Sequence, residues 1–254
     1  MTVAGAELTS LRSMTLIGLC LSVAAAWVGL VAMHGEATWA LETLAALCLA
    51  VGGSADFSLF PAVLVMWLLM SVAMMLPTAL PTIDLYVQIT RRMEEGRTVR
   101  IVLFVLGYLI AWSVFGILAA AAQVAVRPLL DDLLTPALFA GGLIALAGAY
   151  QLSPLKQACL DLCRNPMLFF MSRWTETLSG TLGLGIRHGV VCVGCCWALM
   201  LLMLVGGAMN LIWMAVLGSI MLSEKILPGA DRMGRIAGVL MMAGGTVTIV
   251  SNLI

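Results

Sequence analysis

Runs of about twenty apolar residues recur along the chain, separated by short segments that hold most of the charge. Seven such runs predict seven helices: 14–33, 58–80 with a continuation to 90, 100–126, 136–153, 189–206, 210–224 and 235–253. Runs of this length suit a bilayer core of about 30 Å at about 1.5 Å per helical residue. The expected fold class is therefore an all-α polytopic membrane protein. No linker or low-complexity tract interrupts it, so residues 1–254 read as a single membrane domain. The first run is longer than a typical signal-peptide core and no small-x-small cleavage site follows it, so it is expected to be a retained helix. Segment 34–57 carries Glu36, Glu42 and Asp56 around the short apolar piece Trp39 to Val51, and is expected at the outer surface.

Charge alternates between the connections. Arg12 precedes the first predicted span. Arg91, Arg92, Arg97 and Arg100 fill the second connection, Lys156, Arg164, Arg173 and Arg187 the fourth, and Lys225, Arg232 and Arg235 the sixth. Of the thirteen basic residues only Arg127 falls on the other side. The positive-inside rule then places the N-terminus in the cytoplasm and the C-terminus outside. The longest connection on the basic side, 154–188, contains "CLDLCRNPMLFFMSRW". That mixture of apolar residues and arginines predicts an interfacial cytoplasmic segment, with a short helix along the membrane surface broken at Asn165-Pro166. It reads equally as a lid or as an anchor.

Composition narrows the function classes. Hydrophobic residues make up 62% of the chain and charged ones 10%, with a mean hydropathy of +1.09. Soluble domains hold about 25% charged residues. A net charge of zero argues against a nucleic-acid partner. There is no Walker loop, dinucleotide fingerprint or Ser-His-Asp grouping, and two histidines cannot supply two pairs of haem ligands. Energy-driven pumping or haem electron transfer by this chain alone is therefore not expected.

Five of the seven cysteines are clustered on the basic side: Cys159 and Cys163 in the fourth connection, and Cys192, Cys195 and Cys196 at the start of the fifth predicted span. A reducing compartment disfavours structural disulfides there. Spacing four on a helix puts Cys159 with Cys163, and Cys192 with Cys196, on common faces. Two such pairs could close a thiolate site. A helix N-terminus and Arg187 would favour the ligating thiolate. His188, one turn before Cys192, is either a further ligand or a hydrogen-bonded boundary residue. Cys20 and Cys48, isolated in apolar sequence, read as core filler.

Methionine extends the sulfur. Met66, Met70 and Met74 recur at spacing four, with Met75 adjacent, and Met200 and Met203 continue the stripe of Cys192 and Cys196. Thiolates and thioethers together select copper(I) over hard divalent ions, with zinc or an iron–sulfur cluster as alternatives. Methionine also fills irregular packing, and that reading stands beside the first. In "MMLPTALPTIDLYVQITRR" (74–92), Pro77 and Pro81 should open the helix backbone. Asp84 beyond them is a candidate ion or proton relay, or the partner of an arginine such as Arg91. Glu224-Lys225 reads as an interfacial cap or as an addition to the same inner cluster. Finally, Trp67 and Trp197 each begin a Trp-x-Leu-Met string. The echo suggests one extra helix followed by an inverted 3+3 repeat, a frequent transporter architecture.

The segments "WLLMSVAMMLPTALP" (67–81), "YQLSPLKQACLDLCRNP" (150–166), "GVVCVGCCWALM" (189–200) and "MNLIWM…EKILP" (209–228) resemble the bacterial family of predicted metal-binding integral membrane proteins, known otherwise as a domain of unknown function. The resemblance covers most of the chain after residue 60. It implies an inner-membrane location, and the matching positions are Met74, Met75, Pro77, Tyr150, Gln151, Lys156, Cys159, Cys163, Cys192, Cys195 and Cys196. The resulting expectation is a soft-metal protein of the inner membrane, binding copper for transport or for delivery to a metalloenzyme complex. A soluble metal donor or a larger membrane complex would be its partner besides the bilayer. The rival expectations are a membrane thiol–disulfide oxidoreductase, with Cys192 and Cys195 as the couple, and a structural accessory subunit.

Overall fold

The computed structural model describes residues 3–34, 60–92, 96–132, 136–206, 210–227 and 229–253. The expected outer segment 34–57, with Cys48, lies outside the described residues except for His34. Helix α1 is Val3–His34, α2 Phe60–Met70, and a π-helical turn Ser71–Met75 joins α2 to α3, Leu76–Ile89. Then follow α4 (Arg97–Asp132), α5 (Pro136–Gln151), α6 (Pro154–Arg164), α7 (Pro166–Arg173), α8 (Leu178–Leu201), α9 (Met203–Gly206), α10 (Leu211–Ile226) and α11 (Ala230–Ser251). The described residues contain no strand.

Five stretches are long and apolar enough to cross a membrane: Arg12–Ala32, Phe60–Ile89, Arg97–Val126, Leu178–Val205 and Ala230–Ser251. A sixth is counted if α5 and α6, bent by 63°, form one broken span. Helix α10, with 16 residues, covers only about 24 Å by itself. The expected count of seven is thus not confirmed. Outward-facing side chains are apolar where lipid would lie: Ile17, Leu21 and Val28 on α1, Val114 and Leu118 on α4, and Val239, Leu240 and Val247 on α11. Such a surface is consistent with a membrane protein and foreign to a water-soluble one.

Capping residues set where the inner helices begin. The Ser153 hydroxyl accepts from the Lys156 amide at 3.1 Å and Pro154 follows as the first helical residue, so α6 starts there and the chain turns sharply out of α5. The Thr177 hydroxyl accepts from the Gly180 amide at 3.1 Å and starts α8. This corrects the expected boundary at 189: the fifth span begins eleven residues earlier, inside what reads as a connection. Asn165-Pro166 separates α6 from α7 as the sequence suggests. Asn210 caps α10, and Gly229, at φ +79°, makes the turn into α11.

Small residues then let these helices approach. A Cβ at Gly185 would overlap the Phe104 carbonyl, and one at Gly189 would lie 2.6 Å from the Ala111 Cβ, so α8 packs backbone to backbone on α4. Gly148 and Gly245 do the same between α5 and α11. Close approach through small residues replaces the hydrophobic drive that lipid removes.

Pro77 opens the second span as expected, by an identifiable route. Its missing N–H strips the Ala73 carbonyl of its helical donor, and the indole of Trp27 donates there instead at 3.2 Å. Helix α1 is thereby tied to the break. The other string beginning at a tryptophan also leaves regular geometry soon after it, at Leu202.

Candidate metal centre

The α5–α6 bend folds α6 back against α8. Gly194 makes that contact possible, because a Cβ there would lie 2.8 Å from the Cys159 sulfur. The Tyr150 hydroxyl donates to the Gly194 carbonyl, holding the end of α5 against the same turn. The two cysteine-bearing stretches consequently meet. Cys163 Sγ lies 3.8 Å from Cys195 Sγ, and Cys195 Sγ lies 3.3 Å from Cys196 Sγ. Cys195 donates to the Cys192 carbonyl at 3.1 Å. Cys192, Cys195 and Cys196 are buried, while Cys159 and Cys163 are half-buried.

Their depth differs from expectation. Cys192 stands fourteen residues into α8 and not in its first two turns, roughly 21 Å along the axis. The helix dipole acts only within the first turn, so the influence expected from the helix N-terminus does not extend to Cys192. A different charge does reach the site. Lys225 Nζ donates to Cys192 Sγ at 3.0 Å and to the Thr78 hydroxyl at 2.7 Å. The Tyr108 hydroxyl lies 3.2 Å from the same sulfur and donates to the Met75 carbonyl at 2.8 Å. Helices α3, α4, α8 and α10 therefore all contribute to one buried point. Lys225, which the sequence offers as an interfacial cap, is the residue that position alone misses; the signal was a lysine after sixteen residues with one carboxylate and no other charge.

Glu224 belongs to a second buried group. Lys156 Nζ donates to Glu224 Oε2 at 2.7 Å, and Gln151 bridges both side chains. Arg164 donates to the Glu224 carbonyl at 2.7 Å and pairs with Asp231. This network clamps α6, and with it Cys159 and Cys163, to α10 and the start of α11.

The methionines expected in register are enclosed. Met66, Met70, Met74, Met75, Met200 and Met203 are all buried, joined by Met214 and Met221 of α10, which share one face seven residues apart. Met74 reaches across to α10, its methyl carbon 3.6 Å from where a Cβ of Gly218 would stand. His188 is buried among the rings of Phe104, Tyr108 and Phe169, at centroid distances of 6.0, 5.7 and 5.4 Å, and its Nδ1 has no hydrogen-bond partner. It is not the hydrogen-bonded boundary residue of the simpler reading. Asp84 accepts from Arg12 at 2.5 and 2.7 Å and from Gln88 at 2.9 Å. Its partner is thus Arg12 of α1 and not Arg91. Cys20 faces outward, not into a core.

Among the described residues, no three His, Cys, Asp or Glu side chains are arranged to enclose an ion. The sulfurs present, thiols with thioethers in the same buried core, are soft donors. No curated protein and no solved structure matches the chain. A family model described as "PpoB2: Copper chaperone" matches residues 64–248, a stretch holding all five clustered cysteines and every buried methionine named above. The chain therefore belongs to the PpoB2 copper chaperone family.

Proposed function

We propose that the protein is an integral membrane copper(I) carrier, which takes the ion on its thiols and passes it along the enclosed methionines to a metalloenzyme. The observation that carries this reading is the meeting of Cys163, Cys195 and Cys196 beside Cys192, in a core that also buries Met66, Met70, Met74, Met200 and Met203. Cys192, Cys195, Cys196, Cys163 and Cys159 are the receiving sulfurs, with Met200 next on the same helix, Met203 just beyond it at the start of α9, and Met66, Met70 and Met74 on the second span. His188 would join only by turning out of its aromatic cage. Asp84, engaged by Arg12 and Gln88, is an anchor for α1 in this scheme and not part of the path.

Lys225 bears on which ion is carried. Its ammonium supplies one positive charge against Cys192. A monovalent ion that takes the place of one thiol or ammonium proton leaves the charge of the enclosed site unchanged, whereas a divalent ion replacing the same proton adds a charge to a low-dielectric interior. Copper(I) is the soft ion of that charge. The basic connections put the receiving end at the cytoplasmic face, where a soluble donor would load it, and an assembling membrane enzyme complex would receive the ion.

The test is the copper content of the full chain, purified in detergent after loading with copper(I). The parent should retain the ion and the variant Cys192→Ser/Cys195→Ser/Cys196→Ser should lose it while keeping the parent's helical circular dichroism. Equal copper in both refutes the assignment. A thiol–disulfide role is the second reading, favoured by the contact of Cys163 and Cys195 across two helices. It requires a Cys163–Cys195 disulfide in protein alkylated before purification, and no copper.

A further inference from the structure

Outside the sulfur cluster, the basic end of the bundle holds a cavity of about 430 Å³ between the end of α7 and the first turns of α8. Ser172, Arg173 and Trp174 form one wall, and Gly183, Leu184 and Arg187 the other. Neither arginine takes part in an ion pair or hydrogen bond with the described residues, unlike Arg12, Arg97, Arg100 and Arg164. Both arginines are exposed at the cavity's rim, so an anion entering it would meet two unpaired guanidinium groups. Their planar donor sets match phosphate oxygens.

The level of the cavity in the bilayer is set by α7. Met167, Leu168 and Met171 are exposed on its outer face while Phe169 and Phe170 are buried against the bundle. A helix with apolar side chains on both sides and Arg173 at its end suits the boundary between hydrocarbon and headgroups. Trp174, the next residue, is of the type enriched at that depth. Phosphates are abundant at this level, and an unpartnered arginine here is stabilised by reaching them.

We propose that Arg173 and Arg187 form a phosphate-binding site on this protein, separate from the sulfur cluster and not dependent on copper. The phosphate comes either from a lipid headgroup or from a free phosphorylated compound. Binding there would join α7 to α8.

The test uses the full chain, purified in a non-ionic detergent and stripped of lipid. Sodium phosphate, dihexanoylphosphatidylglycerol and sodium chloride are titrated separately at matched ionic strength, and the unfolding midpoint is read from tryptophan fluorescence. At ten times its dissociation constant a phosphate probe is expected to raise Tm by about 3–6 °C. Chloride should not. A response to phosphatidylglycerol alone assigns a lipid headgroup, and a response to both assigns the phosphate group from either source. Arg173→Gln/Arg187→Gln should abolish the shift. So should Gly183→Leu, which keeps both arginines and projects into open space, since a Cβ there meets nothing within 4 Å. If the arginine variant fails to fold, Gly183→Leu decides. A shift absent with both phosphate probes, matched by chloride, or unchanged in Gly183→Leu overturns the proposal.

Discussion

Replacing Lys156 by methionine tests whether the buried ion pair holds the cysteine-bearing helix in place. Lys156 and Glu224 are 1% and 3% exposed, and the Nζ–Oε2 distance is 2.7 Å. Lys156→Met leaves the Glu224 carboxylate with only the Gln151 amide, and Gly234 allows little room for water, since a Cβ there would stand 3.0 Å from Glu224 Oε1. Stranding one member of a buried pair costs about 3–5 kcal/mol. Glu224→Gln in the same background removes the stranded charge, so the double variant should recover about half of that loss. The recovery is a coupling energy that independent sites would not show.

The assay is reversible unfolding in mixed sodium dodecyl sulfate and dodecylmaltoside micelles, followed by circular dichroism. The single variants and the double variant close the cycle. Alkylation of Cys163 by a maleimide gives a local reading, because α6 carries that thiol and should loosen from α8 when its clamp is lost. A loss below about 1 kcal/mol for Lys156→Met, or single effects that simply add, would refute the reasoning. So would a Cys163 alkylation rate that does not change.

Two glycines on one helix should respond in opposite directions. Gly183→Ala meets open space and should stabilise by up to about 1 kcal/mol through helix propensity, whereas Gly185→Ala drives a methyl into the Phe104 backbone and should destabilise by about 1–3 kcal/mol, both read in the same micelle titration. Trp27→Phe should cost about 1 kcal/mol, since it removes the donor that replaces the Pro77 amide at the Ala73 carbonyl; an unchanged midpoint would mean that lipid or water serves the carbonyl as well. Asp84→Asn should leave the copper content of the loaded protein at the parent level, and a fall would put the carboxylate on the ion path.

The helical class and the approximate positions of the long apolar stretches were legible because each rests on a strong local signal, while of the two expected cysteine pairs only Cys163 is seen against a sulfur of the other stretch, Cys195. Helix boundaries on the basic side were not legible. Leu178 to Arg187 carries five glycines or hydroxyl residues and an arginine, so hydropathy alone ends the span near 189, while Thr177 caps it at 177. The same failure hid the depth of the cysteines. Lys225 and Glu224 were undervalued because a Glu-Lys pair at a helix end is usually solvated, and only tertiary packing shows that each turns inward to a different partner. Asp84 was read against its own helix, where Arg91 was the nearest cation beyond the prolines; Arg12 is seventy-two positions away in sequence.

Helix α8 explains why packing and chemistry are bound together on this face. Gly185, Gly189, Cys192 and Cys196 follow one another at spacings of four, three and four, so they form a single stripe of small residues. The glycines bring the backbones of α8 and α4 into contact. One turn further on, thiols replace glycines, and the same closeness brings Tyr108 of α4 to Cys192. On the adjoining face Gly194 admits Cys159 of α6. A larger residue at any of these glycines would move sulfurs as well as helices. Variants that loosen the bundle along this stripe should therefore lose copper in proportion to the separation of α8 from its neighbours, while equally destabilising variants between α5 and α11, at Gly141 or Gly245, should keep it.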